Sequence, residues 1–356
     1  MGKYTPENHE GIDAVIDAGL QRVIAVALAV PESVGIVAVI LGGGYGRGEG
    51  GVFIGSDGQP RPYNDFDLFV LTDGLSRVRR KRLDSALREA MEPLNKELGL
   101  HVDFGPAVER SALSGLPFTM MWQELKKGHQ VLYGPRDALA ALPERDMSAL
   151  PLEEGAKLLL NRGTGLWLAK DKLDAGLPYA DDDDFAVRNI WKAVLACGDS
   201  WLIARGLYSD KLEERQQRLI LHLPAEPIAG LEEWYRRAVE FKLHPTIPVA
   251  ADIVALWPPV LELFHGCYLD FFRRFYRRPI PDMRALQLLI YHRDLPGTRI
   301  TPKSVAKNLL LNVMAGGIRW IPLQWYVRYP RTILFTVFPG LLFDSDGVTD
   351  YIAMLP

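Results

Sequence analysis

Two stretches of the N-terminal part decide the fold: Leu41-Gly-Gly-Gly-Tyr-Gly-Arg-Gly-Glu-Gly50 and Asn64-Asp-Phe-Asp-Leu-Phe-Val70. The first takes an apolar run into a glycine-rich turn, and the second places Asp65 and Asp67 at the start of another apolar run. Because side chains alternate along a strand, these two carboxylates point to the same face. A divalent cation would relieve their repulsion. Backbone N–H groups of the glycine turn would bind an anion. Together these features are typical of a nucleoside triphosphate site.

Helical and extended patterns alternate around these stretches as far as about residue 140. The predicted elements are a helix over 10–30, strands over 34–41 and 66–71, a helix over 76–98, and strands over 100–104 and 131–135. This alternation predicts helices packed on a sheet. After about residue 150 the pattern is helical, most clearly over 153–173 and 186–208.

We expect three parts in the chain: a nucleotide-site domain over 1–145, a helical bundle over 150–245, and an apolar, aromatic- and Arg-rich region over 246–356. Within the last part, residues 304–343 are strongly apolar but interrupted by Gly, Pro and Arg. No window has the roughly 18 uninterrupted apolar residues of a membrane-spanning helix. This segment is predicted to be a buried subdomain, with a partner-docking surface or a peripheral membrane contact as the alternatives.

Composition narrows the classes of function. The 356 residues are 48% hydrophobic and carry a formal net charge of −3, which argues against nucleic acid as a partner. Cys197 and Cys267 are the only cysteines, too few for a disulfide framework or a zinc site. The N-terminal residues lack the apolar stretch of a signal peptide. We therefore expect a cytoplasmic protein, and the sequence leaves its oligomeric state open.

Two other motif matches do not indicate a function. Gly46, Gly48 and Gly51 match the G-x-G-x-x-G of dinucleotide-binding folds, but residues 52–63 are not a helix, so that reading fails. The Arg-x6-His spacing of HEPN-type ribonucleases occurs from Arg215 and from Arg237, and it arises often by chance on helices.

The combination of Gly43-Gly-Tyr-Gly-Arg-Gly48 with Asn64-Asp-Phe-Asp-Leu68 resembles the signature of the polymerase-β-type nucleotidyltransferase superfamily, including its aminoglycoside-modifying and minimal members. The resemblance covers roughly residues 10–140. It implies an α+β fold, with a small mixed-sheet nucleotidyltransferase domain followed by a helical C-terminal region.

The resemblance also implies roles for individual residues. Asp65 and Asp67 would hold Mg²⁺, with two ions expected, and Asp103 in His-Val-Asp-Phe would complete the metal and catalytic set. Gly43 and Gly44 would approach the triphosphate. Arg47 matches the Arg that follows the glycine pair in the small members, and so would also bind the nucleotide.

One departure from the superfamily lies between the two motifs. The connection from Gly44 to Asp65 is longer than usual, and the added residues 48–62 are expected to form either a flexible lid over the nucleotide or a surface hairpin.

The activity implied is Mg²⁺-dependent transfer of an NMP, foremost AMP, from a nucleoside triphosphate to a hydroxyl of a small molecule or protein, with release of pyrophosphate. The alternative is a module without catalysis that binds nucleotide or docks a partner or membrane through its C-terminal region.

Overall fold

A computed structural model describes residues 2–7, 11–55, 57–63, 65–177, 179, 181–223, 228 and 230–292, with 301, 302, 305–307, 309, 310, 338 and 342. The chain divides into two compact units. The first contains Met1–Leu150, Gly206–Arg218 and Arg236–Thr246, and the second contains Pro151–Arg205, Leu219–Tyr235 and Ile247–Pro356. The three-part division expected from the sequence stays a prediction, and most of its third part beyond residue 292 lies outside the described residues.

The strands found among the described residues belong to the first unit. They are β1 Ile36–Leu41, β2 Val52–Ile54, β3 Pro60–Pro62, β4 Phe66–Thr72, β5 Val102–Phe104, β6 Val108–Glu109 and β7 Gln130–Tyr133. The main sheet has the order β5-β4-β1-β7, with β6 also pairing β4. β1 runs antiparallel to β4 and β7, whereas β5 and β6 run parallel to β4. The sheet is therefore mixed.

Apart from helical residues after 301, ten α-helices have both ends among the described residues. They are α1 Ile12–Ala29, α2 Gly43–Gly46, α3 Arg77–Leu98, α4 Met120–Lys127, α5 Leu152–Asp174, α6 Asp182–Ile203, α7 Leu212–His222, α8 Leu231–Leu243, α9 Ala250–Tyr276 and α10 Met283–His292. A mixed sheet in the N-terminal part, followed by helices, confirms the predicted α+β class.

The sheet buries both of its faces, because its strands alternate between two apolar clusters. Phe66, Leu68 and Val70 of β4 belong to the cluster that includes buried residues of α1 and α3, such as Leu20 and Leu87. The opposite face belongs to a second cluster, which includes Ile40, Leu71, Trp122, Leu125 and Leu139. Since Asp67 lies between Phe66 and Leu68, its side chain is on this second face.

Local signals explain the ends of α3. The Ser76 side chain accepts a hydrogen bond from the Arg79 N–H, as an N-cap residue does. Gly99 follows the helix with φ +62°, and its N–H donates to the Asn95 carbonyl. The helix predicted over 76–98 is thus found almost unchanged.

The added connection between the two motifs contains a two-stranded hairpin, with Val52 opposite Pro62 and Ile54 opposite Pro60. Tyr45 closes its base: the buried hydroxyl donates to the Gly51 carbonyl at 2.8 Å and accepts from the Tyr63 N–H at 2.9 Å. Of the two forms expected for residues 48–62, the structure has the hairpin.

The described part of the second unit is helical, and α5, α6 and α9 pack against one another. The helix predicted over 186–208 begins earlier, at Asp182, and ends at Ile203. The acidic residues before it explain the earlier start, since carboxylates in a first turn complement the helix dipole. Along α9, the Tyr268 ring lies 5.9 Å from that of Phe338.

The apolar C-terminal segment is described at few positions. Phe338 and Leu342 are buried, whereas Leu309 and Leu310 are exposed. The rest of residues 304–343 lies outside the described residues, so its burial, docking and peripheral membrane alternatives stay predictions. In the described part of the chain, no helix combines the length and apolarity needed to cross a membrane.

Candidate nucleotide site

Asp67 and Asp103 stand side by side on neighbouring strands. β4 and β5 run parallel, and their register pairs Asp67 directly with Asp103. Residues paired in this way project from the same face of the sheet. Asp67 is half-buried and Asp103 is exposed. Pairing with β4 therefore brings the third predicted carboxylate to the second, across 36 residues of sequence.

Asp65 lies immediately before β4, two positions from Asp67 and half-buried. The next residue donates its N–H to the His101 carbonyl at 2.9 Å, so the strand pairing begins at this point. The spacing of two places Asp65 toward the same side as Asp67, as the sequence predicts.

The glycine turn approaches the Asp67 carboxylate closely. A Cβ atom at position 43 would stand 1.9 Å from Asp67 Oδ2, and Gly43 has φ +60°, so only glycine fits here. The Gly42 N–H donates to the Asp67 carbonyl at 2.8 Å. Gly43 and Gly44 open α2, and the first N–H groups of a helix have no partner within the helix. The predicted anion-binding backbone thus lies next to a predicted metal carboxylate.

The carboxylates suit Mg²⁺, but they do not by themselves form a closed metal cage. Among the described residues, no group of three or more His, Cys, Asp or Glu side chains could hold a metal ion. Mg²⁺ is usually bound through one or two carboxylates together with substrate phosphates and water. The Asp67–Asp103 pair fits that kind of site, and metal binding stays a prediction.

Arg47 lies in a buried group of charges. Its guanidinium donates through Nε to Glu49 Oε2 at 3.2 Å and through Nη1 to Glu124 Oε2 at 3.1 Å. Glu124 Oε1 accepts from the Tyr208 hydroxyl at 2.7 Å, and that hydroxyl accepts from Arg215 Nη1 at 2.9 Å. The predicted contact of Arg47 with the nucleotide stays a prediction.

Lys242 joins the same group, with its Nζ 4.0 Å from Glu49 Oε2. We call Arg47, Glu49, Glu124, Tyr208, Arg215 and Lys242 the Arg47 cluster. The side chains of its two glutamates, Arg47 and Lys242 are 10–19% exposed, so solvent screens their interactions weakly.

The pKa values follow from this burial and pairing. Burial by itself raises the pKa of Glu124 and of Glu49, but the neighbouring cations outweigh it and hold both pKa values below the ordinary 4.5. Burial likewise opposes protonation of Arg47, and Glu124 and Glu49 outweigh it, raising the Arg47 pKa. These directions mean that the two ion pairs are formed at neutral pH.

The pKa of Lys242 shifts the other way, from 10.5 to about 8. Burial is the largest cause, followed by repulsion from Arg215 and Arg47, while Glu49 and Glu124 act in the opposite direction. Lys242 therefore releases its proton, and with it its positive charge, at a lower pH than an ordinary lysine.

This shift predicts that stability increases with pH. Between pH 8 and 10.5 the unfolded chain keeps a proton on Lys242 that the folded chain releases, so the free energy of unfolding rises. The total gain is on the order of 3 kcal/mol, of which about 2 kcal/mol is reached by pH 9.5. Urea unfolding at pH 7.0 and 9.5 measures it. Lys242→Met should lack this gain, and equal pH dependence in the two proteins would contradict the shift.

Sequence reasoning missed most of the Arg47 cluster. Glu49 sits inside the glycine-rich stretch, and Glu124 sits on α4, which was not predicted. One signal for α4 was present: Thr119 caps its start by accepting from the Trp122 N–H, and Gly128 ends it. The sequence marks Arg215 only by its spacing to His222. Nothing local to α8 marks Lys242.

Comparison with known proteins adds a distant likeness to a solved structure. The solved structure of spectinomycin adenyltransferase AAD(9) from Enterococcus faecialis with ATP and spectinomycin is similar at a TM-score of 0.38 and 13% sequence identity. The match covers 71% of this chain and 99% of that chain. No protein-family model and no curated protein matches the chain. Since a TM-score below 0.5 does not establish a shared fold, the case for a nucleotide site rests on the residues described above.

Proposed function

We propose that the first unit is a Mg²⁺-dependent nucleotidyltransferase that moves an NMP, foremost AMP, from a nucleoside triphosphate to a hydroxyl of a small molecule or protein. The observation that carries the proposal is that Asp67, Asp103 and the glycine turn meet where β4 begins and β1 ends. Asp67 and Asp103 are paired in register, and the Gly43 backbone lies against the Asp67 carboxylate.

Each residue has a part in the proposed reaction. Asp67 and Asp103 would supply carboxylate ligands for Mg²⁺, and Asp65, two positions before Asp67 and toward the same side, would add negative charge beside them. The bound ion would lower the cost of negative charge on the phosphates. The N–H groups of Gly43 and Gly44 donate to phosphate oxygens.

The chemical step forms a bond between the acceptor oxygen and the α-phosphorus and breaks the bond to the pyrophosphate oxygen. Asp103 is the more exposed of the paired carboxylates, so it is the one open to an incoming acceptor. It takes the proton that the hydroxyl loses, as a general base. The products are the nucleotidylated acceptor and pyrophosphate.

Label transfer tests the proposal. The purified chain is incubated with Mg²⁺ and cell extract in parallel reactions with α-³²P-labelled ATP, GTP, CTP and UTP, and a further reaction contains γ-³²P-labelled ATP. Relative to extract without the chain, we expect added label from an α-phosphate on a small molecule or protein and no added label from the γ-phosphate. Absence of added α-label, or added γ-label, would overturn the proposal.

A further inference from the structure

The Arg47 cluster lies directly beside the glycine turn, yet the proposed reaction does not use it. We propose that Arg47 is a positioning residue: it holds the turn Gly43–Gly46 in place through Glu49 and Glu124 and does not bind the nucleotide phosphates. The inference rests on the proposed function only in taking the turn to be the phosphate-binding element.

Arg47 connects the turn to the cluster through its backbone. It is the residue that ends α2, and its N–H donates to the carbonyls of Gly43 and Gly44 at 3.3 and 3.2 Å. The next residue but one, Glu49, donates its N–H to the same Gly44 carbonyl at 2.8 Å. A displacement of the Arg47 side chain would therefore be transmitted to the turn.

The Arg47 guanidinium forms ion pairs with two carboxylates from different segments of the chain. Nε bonds Glu49 and Nη1 bonds Glu124 at 3.2 and 3.1 Å, and the side chain is 10% exposed. Because two carboxylates already hold the guanidinium, a triphosphate would have to compete with both for it. The planar fork is what allows one side chain to bridge two partners.

The two glutamates are anchored in turn. The second oxygen of Glu49 accepts the Leu212 N–H at 2.8 Å, and the second oxygen of Glu124 accepts the Tyr208 hydroxyl at 2.7 Å. Both contacts come from residues 206–218, which belong to the first unit. The aliphatic part of the Arg47 side chain packs against Gly128. Any larger residue there would clash, because its Cβ would stand 2.3 Å from Arg47 Cγ.

The position of the turn matters because Gly43 is in contact with Asp67. With so little room between Gly43 and Asp67 Oδ2, a small shift of the turn changes where its N–H groups lie relative to the carboxylates. A cluster that fixes the turn therefore fixes the geometry of the proposed site without touching a ligand.

Hydrogen exchange of the full chain tests the positioning directly and needs no nucleotide. Tyr208→Phe removes one hydroxyl remote from the turn, and Glu124→Gln weakens the pair with Arg47. Each is expected to speed exchange in residues 41–50 by about tenfold while residues 77–98 stay unchanged. Lys127→Gln, which breaks an exposed pair on the same helix as Glu124, is the control and should change neither segment. Unchanged exchange over 41–50 in both cluster variants would overturn the proposal.

Mg²⁺–ATP affinity separates positioning from direct contact. Arg47→Lys keeps the charge but cannot bridge two carboxylates, so we expect it to lose about as much affinity as Arg47→Gln, roughly tenfold. The double variant Arg47→Gln/Glu124→Gln should bind no more weakly than Arg47→Gln alone. Wild-type affinity in Arg47→Lys, or additive losses, would overturn the proposal. If the wild-type chain binds no Mg²⁺–ATP while the exchange changes appear, the positioning role stands and the proposed function fails.

Discussion

Asp67→Asn is expected to lower nucleotidyl transfer by about a thousandfold while leaving the fold intact. The substitution removes the charge that would hold Mg²⁺, whose contribution is several kcal/mol, and each 1.36 kcal/mol corresponds to a tenfold change in rate. Because Asn has nearly the same shape as Asp, it keeps the close fit against Gly43. Single-turnover transfer of α-label to the acceptor, measured for the wild type and the variant, gives the effect.

Two further variants complete this test: Asp103→Asn on strand β5, and Asp57→Asn on the hairpin as the control. Asp103→Asn should lower transfer by about 10²- to 10⁴-fold, the usual range for a general base. Asp57 pairs with Arg61 on the exposed hairpin, and Asp57→Asn should leave transfer unchanged. Wild-type turnover in Asp67→Asn, with an unchanged midpoint of urea unfolding, would rule out the proposed role of this carboxylate.

Glu124→Ala is expected to destabilise the protein by about 3–5 kcal/mol, the typical cost of breaking a buried ion pair from one side. It leaves Arg47 without one of its two carboxylates and removes the acceptor of the Tyr208 hydroxyl. The remaining cations, Arg47, Arg215 and Lys242, then face Glu49 alone. Urea unfolding at pH 7 measures the loss.

A neighbouring glutamate gives the matched control for this loss. Glu144 pairs with Lys127 of α4, and its side chain is 60% exposed. Glu144→Ala should therefore destabilise the protein far less than Glu124→Ala, because solvent screens an exposed pair. If Glu124→Ala and Glu144→Ala lower the free energy of unfolding equally, the Arg47 cluster contributes no more to stability than an exposed ion pair. The difference between the two variants should also shrink in acid. The pKa of Glu124 is lower in the folded chain than the ordinary 4.5, so ionised Glu124 stabilises the folded state at pH values above 4.5. This stabilisation is lost as the pH falls through the folded pKa.

Local pattern was sufficient for most of the first sheet. Apolar runs predicted β1 and β4, and a helical pattern predicted α1. The strand with Asp103 was also predicted, since a single polar residue between apolar ones is compatible with an extended pattern. These features depend on neighbours within a few residues, where backbone geometry dictates which side chains share a face.

Local pattern was not sufficient where short elements interrupt long connections. The hairpin strands Val52–Ile54 and Pro60–Pro62 contain three residues each, too few for an alternating signal. The turn after β1 contains a four-residue helix made almost entirely of glycine, a residue that disfavours helix on its own. Both depend on contacts made by Tyr45 with the base of the hairpin.

The sequence alone thus predicts which residues carry the chemistry: the glycines of the turn and Asp65, Asp67 and Asp103. Only the folded chain decides which of them meet, because strand register pairs Asp67 with Asp103 and chain packing brings Gly43 against Asp67. The surroundings of Arg47 were likewise decided by tertiary structure. Its partner Glu124 is 77 positions away, and the Leu212 N–H that anchors Glu49 is 163 positions from it. A buried charge is stable only when it is paired, and its partner can come from any part of the chain. Local sequence periodicity therefore cannot predict which residues pair.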